Sequence, residues 1–334
     1  MHSTNLITYH NITINTINTM AITQQHFDDF MDELDTIKDV LRWTVTQFEY
    51  SELFYGHGTD NAWDEALVLL QYYLKIPVHQ LNLVLDSRLT LSEKEEIYAL
   101  LDKRINQRMP LPYITNEAWF AEMNFYVDGR ALIPRSPIAE LIKQDFQPWL
   151  ELSNNHQNLN ILEIGTGSAC IPCAIAHHFS EQGIEVKIDA TDISQEAMEV
   201  AKINISDYGF NETINLIESD VFDNIKPEQQ YDLILSNPPY VDAVEMSLLP
   251  QEYYHEPQSA LSSGNDGLDC VKKILQRAPA YLKDNGIIII EVGASKPALE
   301  EQYPHVPFTW IDFENGGHGV FVLTKEQLVA AKIN

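Results

Sequence analysis

Cationic side chains are scarce in this 334-residue chain: Lys and Arg total 21 against 49 Asp and Glu, a formal charge of −28. Nucleic-acid binding relies on neutralising phosphates with Lys and Arg, so a field of this sign argues against direct DNA or RNA binding. The same field attracts a basic partner, although an acidic surface also serves solubility alone. Cysteine is equally sparse. Cys170, Cys173 and Cys270 cannot build a disulfide scaffold and suit a reducing, cytoplasmic compartment. No apolar run approaches the roughly 20 residues of a membrane helix, so no membrane association is expected. The opening "MHSTNLITYHNITINTINTM" has neither a basic start nor a compact apolar centre, which excludes a secretory signal. Residues 1–19 read as a disordered leader, or as a misassigned start before Met20.

What is present points to two domains. Hydrophobic content of 45% supports real cores, and the length exceeds the usual single-domain range. Residues 20–108 carry helical spacing. Phe27, Phe30, Met31, Leu34, Ile37, Val40 and Leu41 recur at three- and four-residue intervals, and Ser92 with Glu95 has capping-box spacing. The "YGHGTDNAWDEA" stretch between helical runs is a turn, and His57 in it reads as a solvated turn histidine. Residues 109–135 alternate apolar and polar around Asp128-Gly129, which predicts a β-hairpin connector turning there. From 136 to 334 the period becomes strand–helix–strand, with apolar runs "LNILEIG", "VKIDATD", "TINLIES", "YDLILSN" and "GIIIIEV", then "FTWIDF" and "HGVFVLT" as a closing hairpin. Such runs suit a mostly parallel seven-stranded sheet buried on both faces, a doubly wound α/β domain.

Cys170 and Cys173 match C-x-x-C, with His177 one helical turn further on, but a fourth zinc ligand is missing. They read as buried structural thiols, and no metal is expected.

The chemistry gathers at strand ends. "LEIGTGSACI" runs a strand through Gly165 and Gly167 into a helix N-terminus, which offers backbone N–H groups and a positive dipole end. A dinucleotide fingerprint would want Gly at Cys170, which is absent. Asp192 ends the second strand and Asp220 the third. The fourth strand ends in Asn237-Pro238-Pro239-Tyr240, where neither proline donates to a ladder and the exit is rigid and extended. Taken alone, that stretch is equally a strand end with a proline turn.

Glu163, Gly165, Gly167 and Ala169 together resemble the first motif of class I S-adenosylmethionine methyltransferases, with Ala169 in place of the family's third glycine and fitting there if its φ is negative. The resemblance implies cofactor binding by Glu163, Gly165, Thr166, Gly167, Ser168, Ala169, Asp192, Asp220, Val221 and Asn237, with Asp192 at the ribose hydroxyls and Val221 along the adenine. Asn237-Pro238-Pro239-Tyr240 resembles the motif of enzymes that methylate planar nitrogens. It implies that the Asn237 side-chain oxygen and the Pro238 carbonyl accept the two N–H groups of the substrate while Tyr240 packs on its plane. "FYVDGRALIPRSPIAELI", "YYHEPQSALSSGNDGLD" and "FENGGHGVFVLTKEQL" are similar to the N5-glutamine methyltransferases. One branch of these modifies class 1 release factors and the other ribosomal protein L-three. Ser136 in "PRSP" matches the ribosomal branch, which implies a basic ribosomal protein as substrate and a substrate-recognising helical domain. Release-factor methylation, a nucleic-acid amine methyltransferase and a non-catalytic assembly factor are the competing readings.

Overall fold

The computed structural model describes residues 21–150, 158–314 and 316–333, so the expected leader at 1–19 lies outside the described residues. The chain divides into two compact units. One comprises Met1–Phe54 with Asn61–Arg108, the other Tyr55–Asp60 with Met109–Asn334.

The first unit is helical. Helix Gln24–Glu33 packs on Leu91–Ile105, and Ile37–Tyr50 packs on Ala62–Leu74. Phe30, Val40, Phe48, Leu69, Leu70, Ile97 and Leu101 form its buried centre. The helical spacing from Phe27 to Leu41 spans a break. Leu34 is extended, and Thr36 caps a new helix by accepting from Asp39 N at 3.2 Å while Asp39 Oδ2 accepts from Thr36 N at 3.0 Å. The Thr36 hydroxyl, which donates to Asp39 Oδ2 at 2.7 Å, and then the Thr36 N–H hold the Asp39 carboxyl below its usual range. The capping box expected at Ser92 and Glu95 is formed instead by Thr90 and Glu93, two residues earlier. Thr90 is the last extended residue (φ −72°, ψ 162°), and Ser92 already lies inside the first turn, where its backbone is helical.

In the second unit, strands β1 (Glu117–Phe120) and β2 (Met123–Tyr126) form the hairpin. Its turn is Ala121-Glu122, not Asp128-Gly129 as the local signal suggested. Both turn residues are left-handed, with φ of 48° and 68°, the geometry that matches strand twist in a two-residue loop. This register puts Phe120, Met123 and Phe125 into the core, a gain that overrides the Asp-Gly preference. Asp128-Gly129 forms a separate turn in which Asp128 Oδ1 accepts from Arg130 N at 3.0 Å.

Seven strands follow: β3 (Asn158–Ile164), β4 (Glu185–Asp192), β5 (Ile214–Glu218), β6 (Tyr231–Ser236), β7 (Leu282–Glu291), β8 (Thr309–Trp310) and β9 (Val320–Thr324). Their order is β5-β4-β3-β6-β7-β9-β8, with β5 through β7 parallel and β9 antiparallel to both its neighbours. Alternate residues face opposite layers. Ile161, Leu233, Leu235, Ile287 and Ile289 enter one core, and Leu162, Ile164, Ile234, Ile288 and Ile290 the other. Two buried faces explain why the strands read as unbroken apolar runs. The order reverses between β3 and β6, so their carboxyl ends frame the crevice where open α/β sheets place their sites.

Candidate active site

Four strand ends converge on that edge. The turn after β3 is tied to β4, since the Gly165 and Thr166 amides both donate to the Thr191 carbonyl at 2.8 and 2.9 Å. Gly165 and Gly167 are left-handed, with φ of 74° and 55°. Ala169 is left-handed as well, at φ 62°, so the condition of a negative φ set for its fit is not met. The conformation is what starts helix Cys170–Glu181 directly after the turn, and the buried Ala169 side chain joins the core, which offsets the strain. An L-residue there costs about 1–2 kcal/mol. Replacing it by Gly gives up a buried methyl worth about 0.8 kcal/mol and adds roughly 0.5–1 kcal/mol of chain entropy. Ala169→Gly therefore changes stability by less than about 1 kcal/mol in urea unfolding, because these terms nearly cancel.

Glu163 lies beneath the turn, 1% exposed, and accepts from the Thr166 hydroxyl. Burial pushes its carboxyl up to about 8, against the lowering bond from Thr166, and the nearby Asp192 charge raises it further. With the folded value above the unfolded one, the proton's contribution to stability is complete below about pH 4.5 and disappears as pH rises through about 8. Glu163→Gln, neutral at every pH, should thus become progressively more stable than the parent between pH 5 and 9, roughly the window of that titration. Urea unfolding across the range checks it.

Asp192 at the end of β4 accepts from Gly167 N and Ser194 N, both at 2.8 Å, which locks the glycine turn to the next helix. Burial raises this carboxyl, and the two backbone donors oppose the rise. Beyond β5, Asp220 pairs with Lys273 at 2.6 Å. Val221 is buried at φ 55°, an outlier for a β-branched residue of the kind that concentrates at working sites. The Ser219 hydroxyl donates to its carbonyl at 3.1 Å and so holds it.

Gly165, Asp192, Asp220 and Val221 line one cavity of 300 Å³, together with Pro239, Cys270 and Lys273. Thr166, Ser168 and Ala169 are buried behind the turn and do not line it. Asn237, Pro238 and Tyr240 line a second cavity of 140 Å³ with Leu132, Arg135 and Tyr253. The N-P-P-Y segment is thus the wall between the two, with Pro239 on one side and its neighbours on the other.

Asn237 and Tyr240 are both fixed from behind. Asn237 Nδ2 donates to the Arg135 carbonyl at 3.2 Å, and a carbonyl only accepts, so the amide nitrogen must face it and Oδ1 is left for the pocket. The Tyr240 hydroxyl donates to Glu291 Oε1 at 2.9 Å. Burial, then the Glu291 charge, drives that phenol well above its usual range, so Tyr240 stays neutral.

Several contributors had no local signal. His57, expected to be a solvated turn residue, is 6% exposed and lies 2.8 Å from Glu256, its Nε2 to the carboxylate Oε1. It packs with the second unit because segment Tyr55–Asp60 belongs there. Arg135 and Glu256 are 121 positions apart, and His57 and Glu256 are 199 apart, separations that no periodicity reports. Cys170 and Cys173 are buried free thiols, and burial pushes Cys170 up to about 12. His177 instead points outward toward Glu181. Among the described residues no His, Cys, Asp or Glu cluster is arranged to hold a metal, and no helix is long and apolar enough to cross a membrane.

The methyltransferase small domain family matches residues 149–266, and the PrmC N-terminal domain family matches residues 46–115. The ribosomal protein uL3 glutamine methyltransferase of Neisseria meningitidis serogroup B is 45% identical over 303 residues, covering 91% of this chain and 97% of that one. Its counterpart from Neisseria gonorrhoeae is 45% identical over 303 residues, covering 91% and 99%. Among solved structures, a methyltransferase from Pyrococcus furiosus covers 60% of this chain and 88% of its own, with 20% identity and a TM-score of 0.41. By its sequence identity and coverage, the chain belongs to the ribosomal protein uL3 glutamine methyltransferase family.

Proposed function

We propose that the protein methylates the side-chain amide nitrogen of a glutamine in ribosomal protein uL3, in the cytoplasm, with S-adenosylmethionine as donor. One observation carries the reading. An amide-and-carbonyl pair, Asn237 and Pro238, lines a 140 Å³ pocket, and the next residue, Pro239, lines a larger acid-lined cavity.

The larger cavity fits the donor. Its 300 Å³ lies at the lower end of the ~300–1,000 Å³ of small-molecule sites. Asp192, Asp220 and Asp269 surround it with acceptors suited to hydroxyls and to a cationic group, while Val221 and Pro239 supply apolar contact. Ideal Cβ atoms at Gly165 and Gly167 would meet nothing within 4 Å, so the turn leaves open space where a ligand backbone can approach. Bound there, S-adenosylmethionine would supply an electrophilic methyl group on a sulfonium.

The chain's residues solve the other half of the problem. An amide nitrogen is a poor nucleophile because its lone pair is delocalised into the carbonyl. Asn237 Oδ1 and the Pro238 carbonyl accept its two N–H groups and aim the nitrogen, while Tyr240 packs on the amide plane. A pocket of 140 Å³ takes one benzene-sized planar group, as an engineered cavity of about 150 Å³ does. No base is needed beforehand, since the nitrogen becomes acidic only as it gains the methyl group. Transfer would break the methyl–sulfonium bond and release a neutral thioether, and the two accepting oxygens face the positive charge on nitrogen until it sheds one proton to solvent. Catalysis is then positioning and fixed electrostatics. The formal charge of −28 draws a basic ribosomal protein, and the helical unit is assigned to recognising it. Purified uL3 and a class 1 release factor, each incubated with the protein and labelled donor, separate the two branches. Label enters uL3 on this reading, and label in the release factor alone would overturn it.

A further inference from the structure

The clamp is held through two adjacent residues that none of the chemistry above uses. Arg135 anchors the Asn237 end. Its carbonyl receives the Asn237 amide, and its guanidinium forks onto Glu256, Nη1 to Oε2 at 2.9 Å and Nη2 to Oε1 at 2.8 Å. Glu256 Oε2 also accepts from Ile133 N at 3.1 Å, and His57 Nε2 lies 2.8 Å from Oε1. That carboxylate has no exposed side-chain surface. Burial pushes it up, but the bonds from His57 and Arg135 outweigh burial and hold it below its usual range. Ser136 anchors the Tyr240 end. Its hydroxyl accepts from Ile138 N at 3.1 Å, which aims its proton at Glu291 Oε2, 2.6 Å away. The other oxygen of Glu291, which is 5% exposed, receives the Tyr240 hydroxyl.

We infer that Arg135 and Ser136 are positioning residues for methyl transfer, acting through the buried carboxylates Glu256 and Glu291 to set the Asn237 amide and the Tyr240 ring. The assignment rests on the amide-clamp reading. An Asn side chain has two nearly equivalent amide orientations, and only the one with Oδ1 toward the pocket accepts a substrate N–H. The Arg135 carbonyl selects that orientation. Where this carbonyl lies is decided by Glu256, which grips the segment at both Ile133 N and the Arg135 fork. A buried carboxylate with each oxygen satisfied is a stiff anchor, and one left unsatisfied is costly.

Two measurements test this. In single-turnover assays on uL3, Ser136→Ala should slow transfer about tenfold, with donor affinity unchanged. In a Tyr240→Phe background the same change should have no further effect, because the hydroxyl it acts through is gone. Equal losses in both backgrounds would mean that Ser136 merely supports the fold, and would overturn the Ser136 arm. The second readout needs no turnover. The side-chain amide pair of Asn237, identified by its loss in Asn237→Ala, should exchange slowly with solvent in the parent protein and lose that protection in Glu256→Gln. Unchanged protection would overturn the Arg135 arm. If the parent protein fails to label uL3 yet shows the protected amide, the substrate assignment fails and the anchoring stands.

Discussion

Asn237→Ala should lower the rate of methyl transfer to uL3 about 10²–10³-fold, the range seen when one fixed polar partner of a reacting group is deleted. S-adenosylmethionine affinity should stay nearly unchanged. The split follows from the geometry. Asn237 lines the 140 Å³ pocket, whereas Asp192, Asp220 and Val221 line the 300 Å³ cavity on the other side of Pro239. Removing the amide takes away one of the two acceptors that hold the substrate nitrogen and leaves one of its two N–H groups without a partner, so the amide plane is no longer fixed. Single-turnover rates and calorimetric titration of the donor measure the two effects separately. A near-normal rate would dismiss the clamp, and an equal loss of donor affinity would place Asn237 in the donor site.

Gly293→Ala should be nearly as damaging, although Gly293 carries no functional group. A Cβ there would fall 2.5 Å from Tyr240 Cε2 and 2.9 Å from Cζ, closer than real contacts allow, on a backbone with φ of 47°. The ring has nowhere to retreat. Its hydroxyl is held by Glu291, its carbonyl accepts from Ser295 Oγ at 2.7 Å, and the Gly267 backbone lies against that same carbonyl. Displacing a positioning group by about 1 Å costs on the order of 10²-fold in rate. The crowding and the left-handed backbone together should remove about 1–3 kcal/mol of stability. Both losses appearing in one variant, by kinetics and by urea unfolding, would establish that glycine is required for space. Full activity would show that Tyr240 tolerates movement.

The parts of this site that were legible in the sequence are those carried by local pattern. Apolar runs buried on two faces announce parallel strands, and Gly165, Asp192, Asp220 and the N-P-P-Y segment each stand at the end of one. The seven-stranded doubly wound sheet follows from the strand–helix–strand period, and the methyltransferase reading came from the resemblance of the motifs at those strand ends. What was not legible depends on packing between distant segments. His57 looks like a turn residue because nothing within ten positions shows that Glu256 will enclose it. Its burial exists only because Tyr55–Asp60 packs with the second unit. The fit of Ala169 was made conditional on a negative φ, yet entry into helix Cys170–Glu181 uses the left-handed turn and the core accepts the methyl. The hairpin was misplaced for a similar reason. Asp-Gly is a strong local turn signal, but burying Phe120, Met123 and Phe125 on one face moved the turn to Ala121-Glu122. In each case a tertiary contact outweighed a local preference of at most about 2 kcal/mol.

The anchoring of the clamp extends this contrast. Asn237 and Tyr240 are recognisable as a motif, while the residues that orient them, Arg135 with Glu256 and Ser136 with Glu291, were found only through their hydrogen bonds. On the proposed reading the motif supplies the acceptors and the ring, and the two buried carboxylates decide where these point.

Peptide mass spectrometry of uL3 from cells with and without this protein tests the central claim most directly. The account predicts one methyl group on the side-chain amide of a single uL3 glutamine, present with the protein, absent without it, and restored by the parent chain but not by Asn237→Ala. An unmodified uL3 in both cells, or a methyl group that persists when the protein is removed, would contradict it.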